Sequence, residues 1–209
     1  MAKGVLITFE GGEGAGKTTL IEGIFLHLTS LNIEVIKTRE PGGTPFGEKV
    51  RTLLLSDFET PPSPFAELAL FLASRAEHVA QVILPALEKG KVVLCDRFHD
   101  SSIAYQGIAR GLGKLQVEQM TLFLSQGVQS DITFYLDIDP SIGLHRVARS
   151  RVQDRMEQES LVFHQKIRKA YLELVKESSG RMVRIDATLP KERVYQEAIM
   201  QIGKVVQGV

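Results

Sequence analysis

One segment limits the folds open to this chain of 209 residues. Gly11-Gly12-Glu13-Gly14-Ala15-Gly16-Lys17-Thr18 fits the spacing G-x-x-x-x-G-K-[ST]. It lies between an apolar, β-rich run at residues 5–10 and helical apolar spacing over residues 17–30. Glycines at these places let the backbone curl until successive N–H groups face a common centre, a concave anion nest. The helix that follows adds the positive end of its dipole. Lys17 then supplies a cation for the terminal phosphates of a nucleotide, and the Thr18 hydroxyl, followed by Thr19, a ligand for Mg²⁺. A glycine-rich turn with no ligand is the plain alternative. The strand before and the helix after it favour a phosphate site.

Four more short apolar runs read as strands, at residues 34–38, 91–96, 132–137 and 182–186. Helical patterns fill the gaps. Five buried strands separated by helices predict an α/β fold, a five-stranded parallel sheet with helices on both faces. Right-handed crossovers would bring the carboxyl ends of all five strands to one edge, where such sheets bind ligands. The first helix should bury Leu20, Ile24, Leu28 and Leu31. A proline-rich break (Pro61, Pro62, Pro64) should precede one long helix reaching residue 88. Residues 1–209 read as a single domain. Strand alternation is expected to send Asp137 and Asp139 to opposite faces, with Asp139-Pro140 opening the next helix.

Composition narrows the partners. The 25 Lys+Arg balance the 25 Asp+Glu, a formal net charge of +0, which argues against a nucleic-acid surface. The longest central apolar stretch, residues 68–73, is far short of the ~20 needed to cross a membrane. Glu10 interrupts the only early apolar run, so the expected location is cytoplasmic. The single cysteine, Cys95, leaves neither an internal disulfide nor a cysteine metal site. His27, His78, His99, His145 and His164 show no metal-ligand spacing.

A guanine-reading N-K-x-D segment is missing, because the one asparagine, Asn32, precedes Ile33. A kinase of small phosphorylated substrates needs cations around a second phosphate and a mobile cationic flap. Asp96-Arg97 closes the third strand, with Asp96 placed for the metal shell. Arg146, Arg149, Arg151 and Arg155 concentrate positive charge after the fourth strand. By themselves these arginines could be a solvated helical face; beside the phosphate loop the functional reading prevails.

Seven segments, FEGGEGAGKTT (9–19), TREPGGT (38–44), FLASRAEH (71–78), CDRFHDSSIAYQG (95–107), DITFYLDI (131–138), LHRVARSRVQDRMEQE (144–159) and RIDAT (184–188), resemble the bacterial thymidylate kinases. That family belongs to the P-loop nucleoside monophosphate kinases. The resemblance implies Mg²⁺-dependent transfer of the ATP γ-phosphoryl group to dTMP and a homodimer built on helices. It implies that Phe71 stacks on the base, that Arg75 and Gln106 contact its edge, and that Tyr105 packs beside the deoxyribose. For Phe71 a core aromatic is the plain alternative. Arg97 would grip the acceptor phosphate with Arg39 or Arg51 and Ser101, and Glu13 would lie near the acceptor sugar. The lid, about residues 144–157, would carry Arg146 to ATP. Gly14-Ala15 leave no arginine in the loop, so this chain is similar to the type whose catalytic arginines come from the lid. Arg149 and Arg151 are preferred over Arg155, alongside Lys17 and Arg97. Adenine would rest near residues 186–188. The rivals are a kinase of dUMP or dCMP and a nucleotide-binding protein without turnover.

Overall fold

The computed structural model describes residues 4–149 and 154–206. Strands β1 (Val5–Gly11), β2 (Val35–Arg39), β3 (Val92–Asp96), β4 (Ile132–Asp137) and β5 (Met182–Asp186) form one sheet in the order β2-β3-β1-β4-β5. All four pairings are parallel, and Ile7 stands opposite both Leu94 and Ile132. Alternation along the strands divides the core. Ile7, Phe9, Leu94 and Phe134 pack with Leu20, Ile24 and Leu28 of α1 (Lys17–Ser30) and Ala198 and Ile202 of α9 (Lys191–Ile202). On the other face Tyr135 meets Leu68 and Leu72 of α3 (Pro64–His78) and Ile167 and Tyr171 of α8 (Leu161–Glu177). Leu6 and Val93 pack there against Val79 and Ile83. Each such fully buried aliphatic or aromatic side chain contributes about 1.5–3 kcal/mol. The α/β class, the parallel sheet and its two helical layers match the expectation.

Three local readings need correction. Leu31 is exposed, because α1 ends at Ser30 and Leu31 forms its cap, its N–H bonded to the His27 and Leu28 carbonyls. The long helix to residue 88 is interrupted: between α3 and α4 (Leu84–Glu88), residues Val79–Ile83 form wide π-helical turns. Pro85, which has no N–H and whose ring crowds the preceding turn, accounts for the widening. Asp137 and Asp139 share a side: Arg168 donates to Asp137 Oδ1 at 2.8 Å and to Asp139 Oδ2 at 3.2 Å. Residues two apart in an extended chain point the same way, so alternation places the two carboxylates together. Asp139 does open α7 (Pro140–Ala148), its carboxylate accepting from the Ser141 N–H at 3.0 Å.

No helix among the described residues is long and apolar enough to cross a membrane.

Candidate active site

The carboxyl ends of β1, β2 and β3 open into a cleft of about 540 Å³. Its floor is the glycine loop. Gly16 caps α1 at φ 93°, and Gly14 takes φ 67°. A Cβ on Gly14 would sit 2.2 Å from the Gly143 carbonyl of α7, so backbone packs on backbone here and only glycine fits. Lys17 is buried, and its ammonium donates to the Gly11 and Gly12 carbonyls, both at 3.1 Å. Burial, then Arg97, lowers the Lys17 pKa, with Glu13 and Asp96 opposing. The loop therefore holds its cation under tension between desolvation and nearby carboxylates.

The turn after β3 carries the second cation. Arg97 takes φ 68°, a left-handed conformation costing a residue with a Cβ about 1–2 kcal/mol. Three contacts hold it: its N–H donates to the Phe9 carbonyl at 2.9 Å, Cys95 Sγ donates to its carbonyl, and the next N–H, of Phe98, donates to Glu10 Oε1 at 2.8 Å. The guanidinium pairs with Glu13, donates to Ser101 Oγ at 3.2 Å and lies 5.2 Å over the Tyr105 ring. Burial would raise the Glu13 carboxyl, but Arg97 and Lys17 outweigh it and hold it below the ordinary range. Beneath them Glu10 is fully buried and also accepts from the Ser101 and Tyr171 hydroxyls. Burial, then Asp100, pushes its carboxyl up to about 7 against Arg97 and those hydroxyls. Glu10 fixes the Arg97 turn without lining the cleft.

The far end of the cleft is framed by α3 and by π-helical turns at Ile103–Ala109, which follow α5 (His99–Ser102). Wide turns are frequent at functional sites, and here they bring the consecutive side chains Tyr105 and Gln106 both to the cleft wall. Phe71 is half-buried on that wall. Arg75 is 1% exposed; it donates to Glu40 Oε2 (2.7 Å), Ser102 Oγ (2.9 Å), Thr121 Oγ1 (3.5 Å) and the Phe98 carbonyl (2.8 Å). Glu40 also meets His78 Nδ1 at 2.9 Å, so a buried ion pair anchors the Glu40-Pro41-Gly42-Gly43 turn to α3. Gln106 donates to Glu67 Oε1 at 2.9 Å.

Arg146 of α7 donates to the Gly14 carbonyl at 3.2 Å and borders both this cleft and a second one of about 640 Å³. That second cleft runs along Gly16, Thr19, Gly23, Ala187 and the first turns of α9, including Tyr195. Arg149 is exposed just past α7 and does not line either cleft. Arg151 lies outside the described residues. Arg155 is engaged elsewhere, donating to the Leu54 carbonyl (3.0 Å) and to Glu67 Oε2 (2.9 Å).

The cleft suits Mg²⁺. Among the described residues no group of three or more His, Cys, Asp or Glu could hold a metal alone. Mg²⁺ does not require one, since it keeps waters and takes one or two protein oxygens plus substrate phosphates. Asp96 Oδ1 is buried with no partner, and Thr18 lines the same cleft. A buried carboxylate oxygen without a donor is costly unless a cation meets it.

Comparison with known proteins agrees with this geometry. The family model described as thymidylate kinase matches residues 9–198. Thymidylate kinases of Halalkalibacterium halodurans and Clostridium novyi are 44% and 43% identical, covering 97% and 94% of this chain and 97% of each relative. The chain belongs to the thymidylate kinase family. The crystal structure of an Ehrlichia chaffeensis thymidylate kinase superposes with TM-score 0.79 at 32% identity, covering 96% of this chain and 99% of that one.

In this thymidylate kinase family member, Glu13, Gly14, Ala15, Gly16, Lys17, Thr18 and Thr19 share one cleft with Arg39, Arg51, Phe71, Arg75, Asp96, Arg97, Ser101, Tyr105, Gln106 and Arg146. Gly11 and Gly12 stand behind it as acceptors for Lys17. Glu10, Glu40 and Glu67 were not singled out from the sequence. All three are at most 4% exposed. A charged residue inside an apolar run (Glu10) or on the apolar side of a helix (Glu67) was the signal that could have found them.

Proposed function

We propose that this chain, an enzyme of the thymidylate kinase family, transfers the γ-phosphoryl group of ATP to dTMP, giving dTDP and ADP, with Mg²⁺ as cofactor. The observation that carries this reading is the continuity of the cleft from the phosphate loop to the Phe71, Arg75 and Gln106 wall. The loop from Gly11 to Thr19, with Arg146, takes the ATP phosphates, and the second cleft takes adenosine against Ala187 and the start of α9. At the other end Phe71 stacks on thymine. An arginine has five N–H donors, and four contacts are accounted for on Arg75, so one on Nη2 remains for a base carbonyl. Tyr105 sits where a 2′-hydroxyl would intrude, and Glu13 faces the acceptor sugar. Arg97, with Arg39, Arg51 and Ser101, holds the acceptor phosphate.

Thr18 and Asp96 would hold Mg²⁺, which neutralises charge on the β- and γ-phosphate oxygens when bound. Phosphoryl transfer needs little covalent chemistry, so positioning and charge carry the rate. Lys17 and Arg97 bracket the transferred group. Arg149 and Arg151, on a lid at about residues 144–157 of a single domain, add cations when it closes.

The test is an acceptor panel of dTMP, dUMP and dCMP with ATP and Mg²⁺, read by coupled ADP release. The expected kcat/KM for dTMP exceeds that for dCMP on the order of 10²-fold or more. Equal use of dTMP and dCMP would overturn the base-pocket assignment, and ATP binding without ADP release would favour the non-catalytic reading.

The same reading includes a cytoplasmic homodimer. Phe65 on α3 and Met120 and Phe123 on α6 (Lys114–Leu124) are 72%, 46% and 81% exposed, an apolar face that a second copy would cover. A monomer in sedimentation velocity would remove that part.

A further inference from the structure

We propose that Glu67 is a positioning residue for nucleobase selectivity, fixing which end of the Gln106 amide meets the base. The inference rests on the thymidylate reading above and adds to it a residue that lies behind the pocket wall.

Glu67 is on α3, one turn before Phe71, and is 1% exposed. Its Oε1 accepts from Gln106 Nε2 (2.9 Å) and Arg110 Nε (3.2 Å); its Oε2 accepts from Arg110 Nη2 (3.1 Å) and Arg155 Nη2 (2.9 Å). Arg110 is itself held by Glu159 and by the Phe163 ring, 4.4 Å from its guanidinium carbon. Burial would raise the Glu67 carboxyl, but its hydrogen bonds from Arg110, Gln106 and Arg155 and the Arg110 charge outweigh it, so its pKa is lowered. An ionised carboxylate only accepts. The Gln106 amide must therefore turn its NH₂ toward Glu67, since the opposite orientation would set a carbonyl oxygen against the carboxylate.

This choice has a consequence at the base. One Nε2 hydrogen goes to Glu67, which leaves Oε1 and a second N–H of a residue lining the cleft with no other partner among the described residues. An amide in that state offers an acceptor beside a donor. Thymine and uracil present N3–H beside a carbonyl, the complementary pair. Cytosine presents N3 as an acceptor beside an amino group, which matches the flipped amide instead. A glutamine free to flip would read both. Glu67 removes the second state, and the discrimination against cytosine follows from a residue that never touches the nucleotide.

Glu67→Gln tests this directly, because a neutral amide can donate to or accept from Gln106 and both flips become possible. The kcat/KM ratio of dTMP to dCMP should fall at least about tenfold, the remainder being held by Arg75. The ratio of dTMP to dUMP, which share N3–H, should stay constant. That second ratio separates positioning from structural damage, since a loosened pocket would lower all three acceptors together. Should the single variant fail to fold, Glu67→Gln with Arg110→Gln removes the carboxylate together with the arginine that meets both its oxygens and carries the same expectation. A dTMP to dCMP ratio unchanged from wild type in a folded variant overturns the role of Glu67. A wild type without preference for dTMP over dCMP instead overturns the thymidylate reading itself, so the two failures are distinct.

Discussion

Lys17→Ala is expected to lower kcat on the order of 10²–10³-fold, the scale of losing one preorganised charge-stabilising donor, with the fold retained. The structural cost is modest because the ammonium meets the protein through two hydrogen bonds, to the Gly11 and Gly12 carbonyls. Each is worth about 1 kcal/mol net. Alanine is also the best helix former at the first residue of α1. The catalytic cost is large for a different reason. Burial and Arg97 lower the Lys17 pKa while Glu13, Asp96 and Glu10 oppose them, and the charge so held is the one the loop would offer to the terminal phosphates. A coupled ADP-release assay beside a urea titration separates the two effects. Turnover at the parent rate would remove the loop from the chemistry.

Arg97→Ala and Arg97→Gly should both lose turnover, on the order of 10³-fold for an arginine that stabilises the transferred phosphoryl, yet differ from each other in stability. Both remove the Glu13 ion pair and the Ser101 contact. Alanine keeps the cost of φ 68°, whereas glycine does not, so the glycine variant should be the more stable by about 1 kcal/mol. Urea midpoints at equal slope measure that difference, and equal midpoints would show that the turn carries no strain. A pH effect accompanies it. Glu13 has a lowered pKa in the folded protein, so its contribution to stability is present above its unfolded pKa and is lost as pH falls through the folded value. Removing Arg97 removes a main cause of that lowering, and the acid limb of the stability profile should flatten in both variants.

The fold was legible because its signals are local and repeated. Short, almost continuously apolar runs, with helical spacing between them, follow from the need to cover both faces of a parallel sheet. The phosphate loop was legible for the same reason, since strand, glycines and helix are contiguous. The cleft wall proposed to meet the base was reached only through resemblance, because Phe71 on α3 and Gln106 in a π-helical turn are distant in sequence and a lone phenylalanine has a commoner fate in a core. Glu10, Glu40 and Glu67 escaped because their role is to hold other residues, through partners 35 to 161 positions away. Such contacts leave no periodic trace. The π-helical turns were missed because widening by one residue barely alters an apolar pattern.

The contact between Gly14 and Gly143 bears on how this enzyme could change. Each glycine excludes a side chain from the other: a Cβ at 14 would lie 2.2 Å from the Gly143 carbonyl, and one at 143 would lie 2.2 Å from the Glu13 carbonyl. A long cation cannot be introduced at position 14 by a single substitution while α7 stays where it is. Placing an arginine in the loop at position 14 would demand a coordinated retreat of α7. The steric fit of two glycines therefore closes position 14 of the phosphate loop to a further cation, and Lys17 remains the loop's own charge.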